Sequence, residues 1–153
     1  MNLRSIKPPH ETPWGRTVDF IDLAGVLWHV QSLVGSRNKR TVERYMDAFR
    51  VSDHAGVLAC LTDDVEWELP GAFHLRGKEA FDKEIENDAF VGRPDIRVTR
   101  LTEQNEVVIA EGTVRTQRKE GDVLDLAFCD VFEMHRGRIR RLISYLTPLT
   151  PTG

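Results

Sequence analysis

The sequence predicts an α+β domain in which helices cover one face of a curved antiparallel (mixed) sheet. Apolar residues recur at helical spacing in the first half of the chain. The last third instead holds four long strand-like segments joined by short polar turns. Since consecutive strands with tight turns pair antiparallel, helices and strands are expected to segregate rather than alternate.

The composition is that of an ordinary globular domain. The chain has 153 residues, of which 41% are hydrophobic and 29% charged, with a net charge of −3. This length suits one core with a sizeable pocket, and the charge does not favour a nucleic-acid partner. Cys60 and Cys129 are too few for a disulfide framework and lie in apolar runs, which indicates buried thiols and a reducing compartment. With no secretory signature at the N-terminus, we expect a cytoplasmic location.

Residues 1–40 differ from the rest of the chain. They carry six basic and three acidic side chains, whereas residues 41–153 carry 15 basic and 21 acidic ones. Apolar spacing predicts an amphipathic helix over residues 18–34, too polar and too short to cross a membrane. The polar segment 35–40 is the expected break between an N-terminal extension, residues 1–40, and the domain, residues 41–148, with a tail at 149–153. We expect the extension's helix to pack on the pocket mouth or on a partner subunit.

Three helices are predicted within the domain. The first spans residues 41–51, with Val42, Tyr45, Met46 and Phe49 on one face. The second is short, capped by Ser52 or Asp53, and closes in a turn at residues 62–64. The third begins after residue 77, following a loop.

Five strands are predicted. The first spans residues 65–69 and alternates apolar residues with Glu66 and Glu68 before Pro70 stops it. The other four span residues 95–102, 106–118, 123–135 and 138–146. Strands of this group carry apolar residues on both faces, while helices can cover only one face, so we expect a homodimer through the outer sheet face.

The order of these elements, with the segments "VERYMDAFRVSDHAGVLACLTDDVEWELPG", "HLRGKEAF" and "CDVFEMHRGRIRRLISYL", resembles the nuclear transport factor two-like superfamily and its SnoaL-like, ketosteroid isomerase-like group. The resemblance covers about residues 40–148. It implies a cone-shaped domain with three covering helices around an internal pocket, commonly dimeric. It does not by itself imply a reaction.

Asp130 is the most informative single residue. It interrupts the otherwise apolar stripe from Leu124 to Met134, so its carboxyl is expected on the core-facing side, where burial favours the neutral acid. A neutral carboxyl can donate a hydrogen bond to an oxyanion, as in ketosteroid isomerase. Asp130 resembles that enzyme's oxyanion aspartate, and Tyr45 resembles its oxyanion tyrosine.

Other catalytic positions of the superfamily do not match. Leu69, directly before Pro70, stands where the isomerase has its general base, and leucine cannot take a proton. The Arg-Asp-Asp positions of limonene epoxide hydrolase fall on Gly112, Val114 and Ser144. Glu111 and His74 are the remaining candidates for an acid or base.

Strand alternation predicts the rest of the pocket. The expected ligand-binding residues are Trp67, Leu69, Thr113, Arg115, Phe128, Phe132, Leu142, Ser144 and Leu146. Two functions remain open: a cofactor-independent isomerase, dehydratase or cyclase acting on a small hydrophobic molecule through Tyr45 and Asp130, or a non-catalytic ligand-binding or dimerisation module. No metal, cofactor or membrane partner is expected.

Overall fold

A computed structural model describes residues 10–12, 15–17 and 23–149 of the chain, with side chains from residue 37 to residue 149. The elements are β1 (His10–Thr12), β2 (Gly15–Thr17), α1 (Leu23–Arg50), α2 (His54–Ala59), β3 (Leu61–Leu69), β4 (Phe73–Arg76), α3 (Lys78–Ile85), β5 (Phe90–Gln104), β6 (Val107–Arg118), β7 (Val123–His135) and β8 (Arg138–Pro148). No helix in this described part of the chain is long and apolar enough to span a bilayer.

Six strands form one curved sheet in the order β4, β3, β8, β7, β6, β5, and β1 pairs with β2 apart from it. All neighbours in the large sheet run antiparallel except β3 and β8, which are parallel. Strands β3 and β8 can pair in parallel because helix α3 and four strands separate them along the chain, which leaves room for the crossover that parallel strands need. The α+β fold class with a mixed sheet and three helices is confirmed.

The helices bury their apolar faces against the sheet. Val42, Tyr45 and Met46 of α1 pack with Phe81 of α3 and Phe132 of β7 in a single core. The short helix α2 is capped by Asp53, whose carboxylate accepts a hydrogen bond from the Gly56 N–H at 3.0 Å. Such a cap satisfies one of the amide donors that a helix start leaves unpaired.

Helix α1 is continuous from Leu23 to Arg50, so the expected break at residues 35–40 is wrong. Three side-chain hydrogen bonds join the C-terminal half of this helix to the strands of the sheet and their turns. Asn38 Nδ2 donates to Glu103 Oε1 at 2.9 Å, the Thr41 hydroxyl donates to the Gly137 carbonyl at 2.8 Å, and Arg50 Nε donates to the Ile96 carbonyl at 2.8 Å. The segment expected to be a linker is therefore anchored helix. The domain limits themselves stay a prediction.

Three other sequence expectations change. Strand β3 begins at Leu61, so residues 62–64 are not a turn but the irregular start of a strand. Strand β4 was missed, and β5 begins five residues earlier than expected because it runs through a bulge before Asp95. Residues 18–22 of the expected N-terminal helix and residues 150–153 of the tail lie outside the described residues.

Candidate functional site

A cavity of about 700 Å³ lies between the concave face of the sheet and the helices. Strands β3, β6, β7 and β8 supply one wall, α1 another, and the segment from α3 into β5 borders the mouth. The lining is mainly apolar and includes Tyr45, Met46, Phe49, Trp67, Leu69, Phe73, Val114, Leu126, Phe128 and Leu146. A cavity of this size, apolar with a few polar points, is typical of a small-molecule site.

Asp130 is the acidic residue on the sheet wall of this cavity. Its strand neighbours are Ala110 on β6 and Ser144 on β8, and its side chain is partly buried. Burial raises the pKa of the Asp130 carboxyl to about 7, while a hydrogen bond from the Ser144 hydroxyl acts in the opposite direction. Near neutral pH the carboxyl therefore exists in both protonation states, which suits it to donate or accept a proton.

Trp67 orients the serine beside Asp130. The indole Nε1–H of Trp67 donates to Ser144 Oγ at 3.1 Å. Because an indole can only donate, Ser144 is the acceptor in this pair, and its own hydroxyl hydrogen is left to point elsewhere. Asp130 is the partner on the adjacent strand that can receive it.

Tyr45 contributes a second hydroxyl to the cavity. Its ring packs edge-on against Phe132 at a centroid distance of 5.4 Å and against Phe81 at 6.2 Å. Burial, and then the negative charge of Asp130, raise the pKa of the Tyr45 phenol well above its usual value. The phenol therefore stays protonated and able to donate. No hydrogen bond joins Tyr45 to Asp130, so both keep capacity for a ligand oxygen.

The expected positions on β6 are wrong by one residue. Ala110 pairs with Asp130, so the even-numbered residues of β6 share the cavity face, and Glu111, Thr113 and Arg115 lie on the outer face. There Glu111 forms an ion pair with Arg100, and Arg115 lies 3.7 Å from Asp125. Glu111 is therefore no acid or base for this cavity.

His74 is also outside the cavity lining. Its Nε2 lies 3.0 Å from a carboxylate oxygen of Glu66, on the outer side of the β3 and β4 pair. Phe132 and Leu142 do lie on the inner face, but they are fully buried in the core behind the cavity instead of lining it. Of the predicted site residues, seven line the cavity together: Tyr45, Asp130, Trp67, Leu69, Phe128, Ser144 and Leu146.

Several lining residues escaped the sequence analysis. Val114 and Thr116 of β6 line the cavity because of the one-residue shift. Phe73 lines it from β4, a strand of four residues at a place where the sequence predicts a loop. Arg93 and Lys119 border the mouth, where turn-forming residues had suggested only connections. The alternation of polar and apolar residues on β6 was the available signal for Val114.

Comparisons with known proteins agree with this architecture. The sequence model of the SnoaL-like domain family matches residues 42–142. None of the curated proteins matches the chain. Among solved structures, an LEH-like epoxide hydrolase from M. tuberculosis is 23% identical with a TM-score of 0.66, covering 74% of this chain and 84% of that one.

Two further structures share the fold. One, called a putative polyketide cyclase, from Xanthomonas campestris, is 25% identical with a TM-score of 0.65, covering 72% of this chain and 90% of that one. The other, called a putative ketosteroid isomerase, from Kribbella flavida, is 18% identical with a TM-score of 0.62, covering 78% and 84%. Since the family match spans well over half of the sequence, the chain belongs to the SnoaL-like domain family.

Proposed function

We propose that the protein binds a small hydrophobic carbonyl or phenolic compound in its cavity and acts on it as a cofactor-independent isomerase, dehydratase or cyclase. The observation that carries this proposal is the Asp130 carboxyl, with a pKa of about 7, on the wall of an otherwise apolar cavity. Tyr45 is a permanent hydroxyl donor in the same cavity. Donors held in an apolar site stabilise an enolate-like oxygen far better than water does.

Asp130 is also the side chain of the cavity wall that we propose transfers a proton to or from the bound compound. Leu69 lines the cavity at the position before Pro70 that resembles the general-base position of ketosteroid isomerase, and Glu111 and His74 lie on the outer face. Other charged groups of the cavity are at its mouth. With a pKa near the working pH, Asp130 can take a proton from a carbon next to a carbonyl while Tyr45 donates to the carbonyl oxygen.

Binding is tested by thermal shift with a panel of steroid-like ketones and polyketide-like phenols. Val114→Trp would fill the cavity, whereas Arg115→Trp adds the same bulk on the outer face of the same strand. We expect hits that Val114→Trp abolishes and Arg115→Trp retains. Hits that survive Val114→Trp would place binding elsewhere and contradict the proposal.

Catalysis is tested by deuterium exchange of the hits in D₂O, because each proposed reaction passes through an enolate-like oxygen. We expect exchange next to the carbonyl, its loss in Asp130→Asn, and a reduced rate in Tyr45→Phe. Glu111→Gln and His74→Gln serve as outer-face controls and should exchange normally. Binding without exchange would support the second candidate, a non-catalytic binding protein, which the leucine at position 69 favours.

We also propose that the protein is a homodimer through the outer sheet face. Ile109, Val131 and Ile143 are neighbours on three adjacent strands of that face, and Tyr145 beside them is half exposed. Light scattering should give twice the chain mass, and Val131→Glu should give the single mass. Lys83→Glu on α3 is the control, and a monomeric wild type would contradict the proposal.

Both cysteines are free thiols, consistent with a cytoplasmic location.

A further inference from the structure

The end of the domain away from the cavity mouth carries a group of exposed arginines. Strand β7 runs from the mouth end of the sheet to His135, and the turn that follows leads into β8 at Arg138. The C-terminal half of α1 lies against this turn, because the Thr41 hydroxyl donates to the Gly137 carbonyl at 2.8 Å. The helix, the turn and the start of β8 contribute six exposed arginines, here called the arginine patch: Arg37, Arg40, Arg44, Arg136, Arg138 and Arg140.

Two of the helix arginines are held beside the turn. A Cβ at Gly137 would lie 2.8 Å from Arg37 Nε, so the guanidinium group of Arg37 lies against this glycine. Arg44 Nη2 donates to the hydroxyl oxygen of Thr41 at 3.3 Å, and the same hydroxyl donates to Gly137. Since helix positions 37, 40 and 44 share one face, Arg40 lies between these two arginines in a stripe that is about 10 Å long.

The arginine patch has few carboxylates to balance it. Within residues 37–149, no carboxylate oxygen lies within 4.0 Å of a side-chain nitrogen of the six arginines. Three acidic side chains of this end have a basic neighbour of their own: Asp47 lies 2.5 Å from Arg50, Asp63 lies 3.4 Å from Lys78, and Lys39 lies close to Glu103. The others are Glu43, Asp64 and Glu106. Six positive charges therefore stand against three negative ones, in a chain whose net charge is −3.

Unbalanced charge of this kind lowers the stability of the chain on its own. Like charges that lie three or four residues apart on a helix repel each other, and Arg37, Arg40 and Arg44 are spaced in that way. Arg136 and Arg138 add further positive charge from the turn beside them. A partner that supplies carboxylates removes this repulsion. It also gains ion pairs, because a guanidinium group can bind a carboxylate through two parallel hydrogen bonds.

From this arrangement we infer that the arginine patch is a docking surface for an acidic helical segment of another protein, whose carboxylates are spaced along one helix face to match the arginine stripe. The inference goes beyond the proposed function, because none of the six arginines lines the cavity. A nucleic acid is disfavoured, since its phosphates would extend past a stripe of about 10 Å onto a chain of net negative charge. A short acidic segment meets the patch alone.

Two helical peptides test the inference, since they share one alanine-rich composition and differ in where their glutamates lie. The first peptide carries three glutamates at the spacing of the arginine stripe, and the second carries them spread around the helix. Both are labelled with fluorescein, and binding to the full chain is measured by fluorescence anisotropy. The wild type should bind the first peptide more tightly, and added salt should weaken that complex. Equal binding of the two peptides, or of neither, would overturn the inference.

Variants of the patch locate the binding. Arg40→Gln/Arg138→Gln should weaken binding of the first peptide about five- to tenfold, the combined effect of two exposed ion pairs. The matched control, Arg97→Gln/Arg118→Gln, removes the same charge from β5 and β6 outside the patch and should leave binding unchanged. Arg40→Lys/Arg138→Lys keeps the charge and should retain most of the binding, which separates charge from folding.

Two results with these variants would count against the inference. Equal weakening in Arg40→Gln/Arg138→Gln and in the control would make the net charge of the chain, and not the patch, the cause of binding. A fluorescein-labelled DNA duplex that binds more tightly than the first peptide, and that depends on Arg40 and Arg138, would replace the acidic protein segment by a nucleic acid.

Discussion

Trp67 and Ser144 are joined by a hydrogen bond of 3.1 Å from the indole N–H to the serine oxygen. The two residues lie on β3 and β8, the parallel pair of the sheet, and both line the cavity. Since the serine oxygen accepts from Trp67, its hydrogen is directed to the neighbouring Asp130. A core tryptophan thereby sets the hydrogen bonding of the acid proposed to do the chemistry.

Removing the serine hydroxyl is expected to raise the pKa of Asp130 further. The hydroxyl lowers that pKa from what burial alone would give, because it donates to the carboxylate form. Ser144→Ala should therefore move the Asp130 titration, followed by ¹³C NMR of the carboxyl carbon, above the present value of about 7. Ser144→Thr keeps a hydroxyl and is the control. An unchanged or lowered pKa in Ser144→Ala would show that the serine does not serve Asp130.

The stability of the fold should decrease as the pH rises from acidic to neutral, through Asp130. Its pKa in the folded state, about 7, exceeds its ordinary value of 3.8, so between these values the folded chain binds more protons than the unfolded chain. The free energy of unfolding then falls with rising pH, by about 4 kcal/mol in total if Asp130 acts alone. Urea denaturation at a series of pH values measures this slope.

Asp130→Asn should remove most of that slope and should be more stable than the wild type above neutral pH. Asp63→Asn is the matched control, because the Asp63 side chain is 97% exposed and its loss should leave the slope intact. A slope that persists unchanged in Asp130→Asn would mean that Asp130 is not the titrating group.

The sequence predicted the central strands and the placement of Asp130 because one face of β7 is apolar at every second residue except at Asp130. On β6 the same argument failed, since Val107 and Ile109 are apolar on the face opposite Val108 and Ala110. Alternation near the start of β6 is therefore ambiguous. The pairing of Ala110 with Asp130 resolves the ambiguity, and that is a tertiary contact.

Gly and Pro residues misled the prediction at the cavity mouth. Gly92 and Pro94 indicate the end of a connection, but β5 accommodates both in a bulge, where residues 92–94 are left unpaired and the ladder resumes at Asp95. In α1 the polar segment 35–40 suggests a break, yet Asn38 and the nearby Thr41 are buried, and they donate hydrogen bonds to Glu103 and to the Gly137 carbonyl. Partners distant in sequence decided both cases.

Gly112 is predicted to tolerate no side chain. A Cβ at this position would lie 2.0 Å from the Arg97 carbonyl oxygen and 2.8 Å from the Phe128 ring, and the first of these is backbone that cannot move aside. Gly112→Ala should lower the free energy of unfolding by about 3 kcal/mol, measured by urea denaturation. Thr113→Ala, on the outer face of the same strand, is the control. A loss below that of Thr113→Ala would show that β5 and β6 separate readily here.

His54 should contribute stability at acidic pH that is lost at alkaline pH. Its Nδ1 lies 2.6 Å from Asp82, and its Nε2 faces Glu86, so both ring nitrogens meet carboxylates of α3 or the residue that follows it. The hydrogen bond to Asp82 is the main cause that raises the pKa of His54 above its ordinary value of 6.5. Because the folded state holds the proton more tightly, this stabilisation is complete below the unfolded pKa and disappears as the pH rises through the folded pKa.

His54→Gln should accordingly lower the melting temperature at about pH 5.5 and have a smaller effect at about pH 9. Asp82→Asn removes the same pair from the other side and should show the same pH dependence, and the double variant should add little to either single one. Lys83→Gln, which disturbs an exposed pair with Glu79 on the solvent side of α3, is the control and should shift the melting temperature little at either pH. If His54→Gln costs as much at alkaline as at acidic pH, its role is packing of α2 against α3, and the charge of the imidazole is not what joins the two helices.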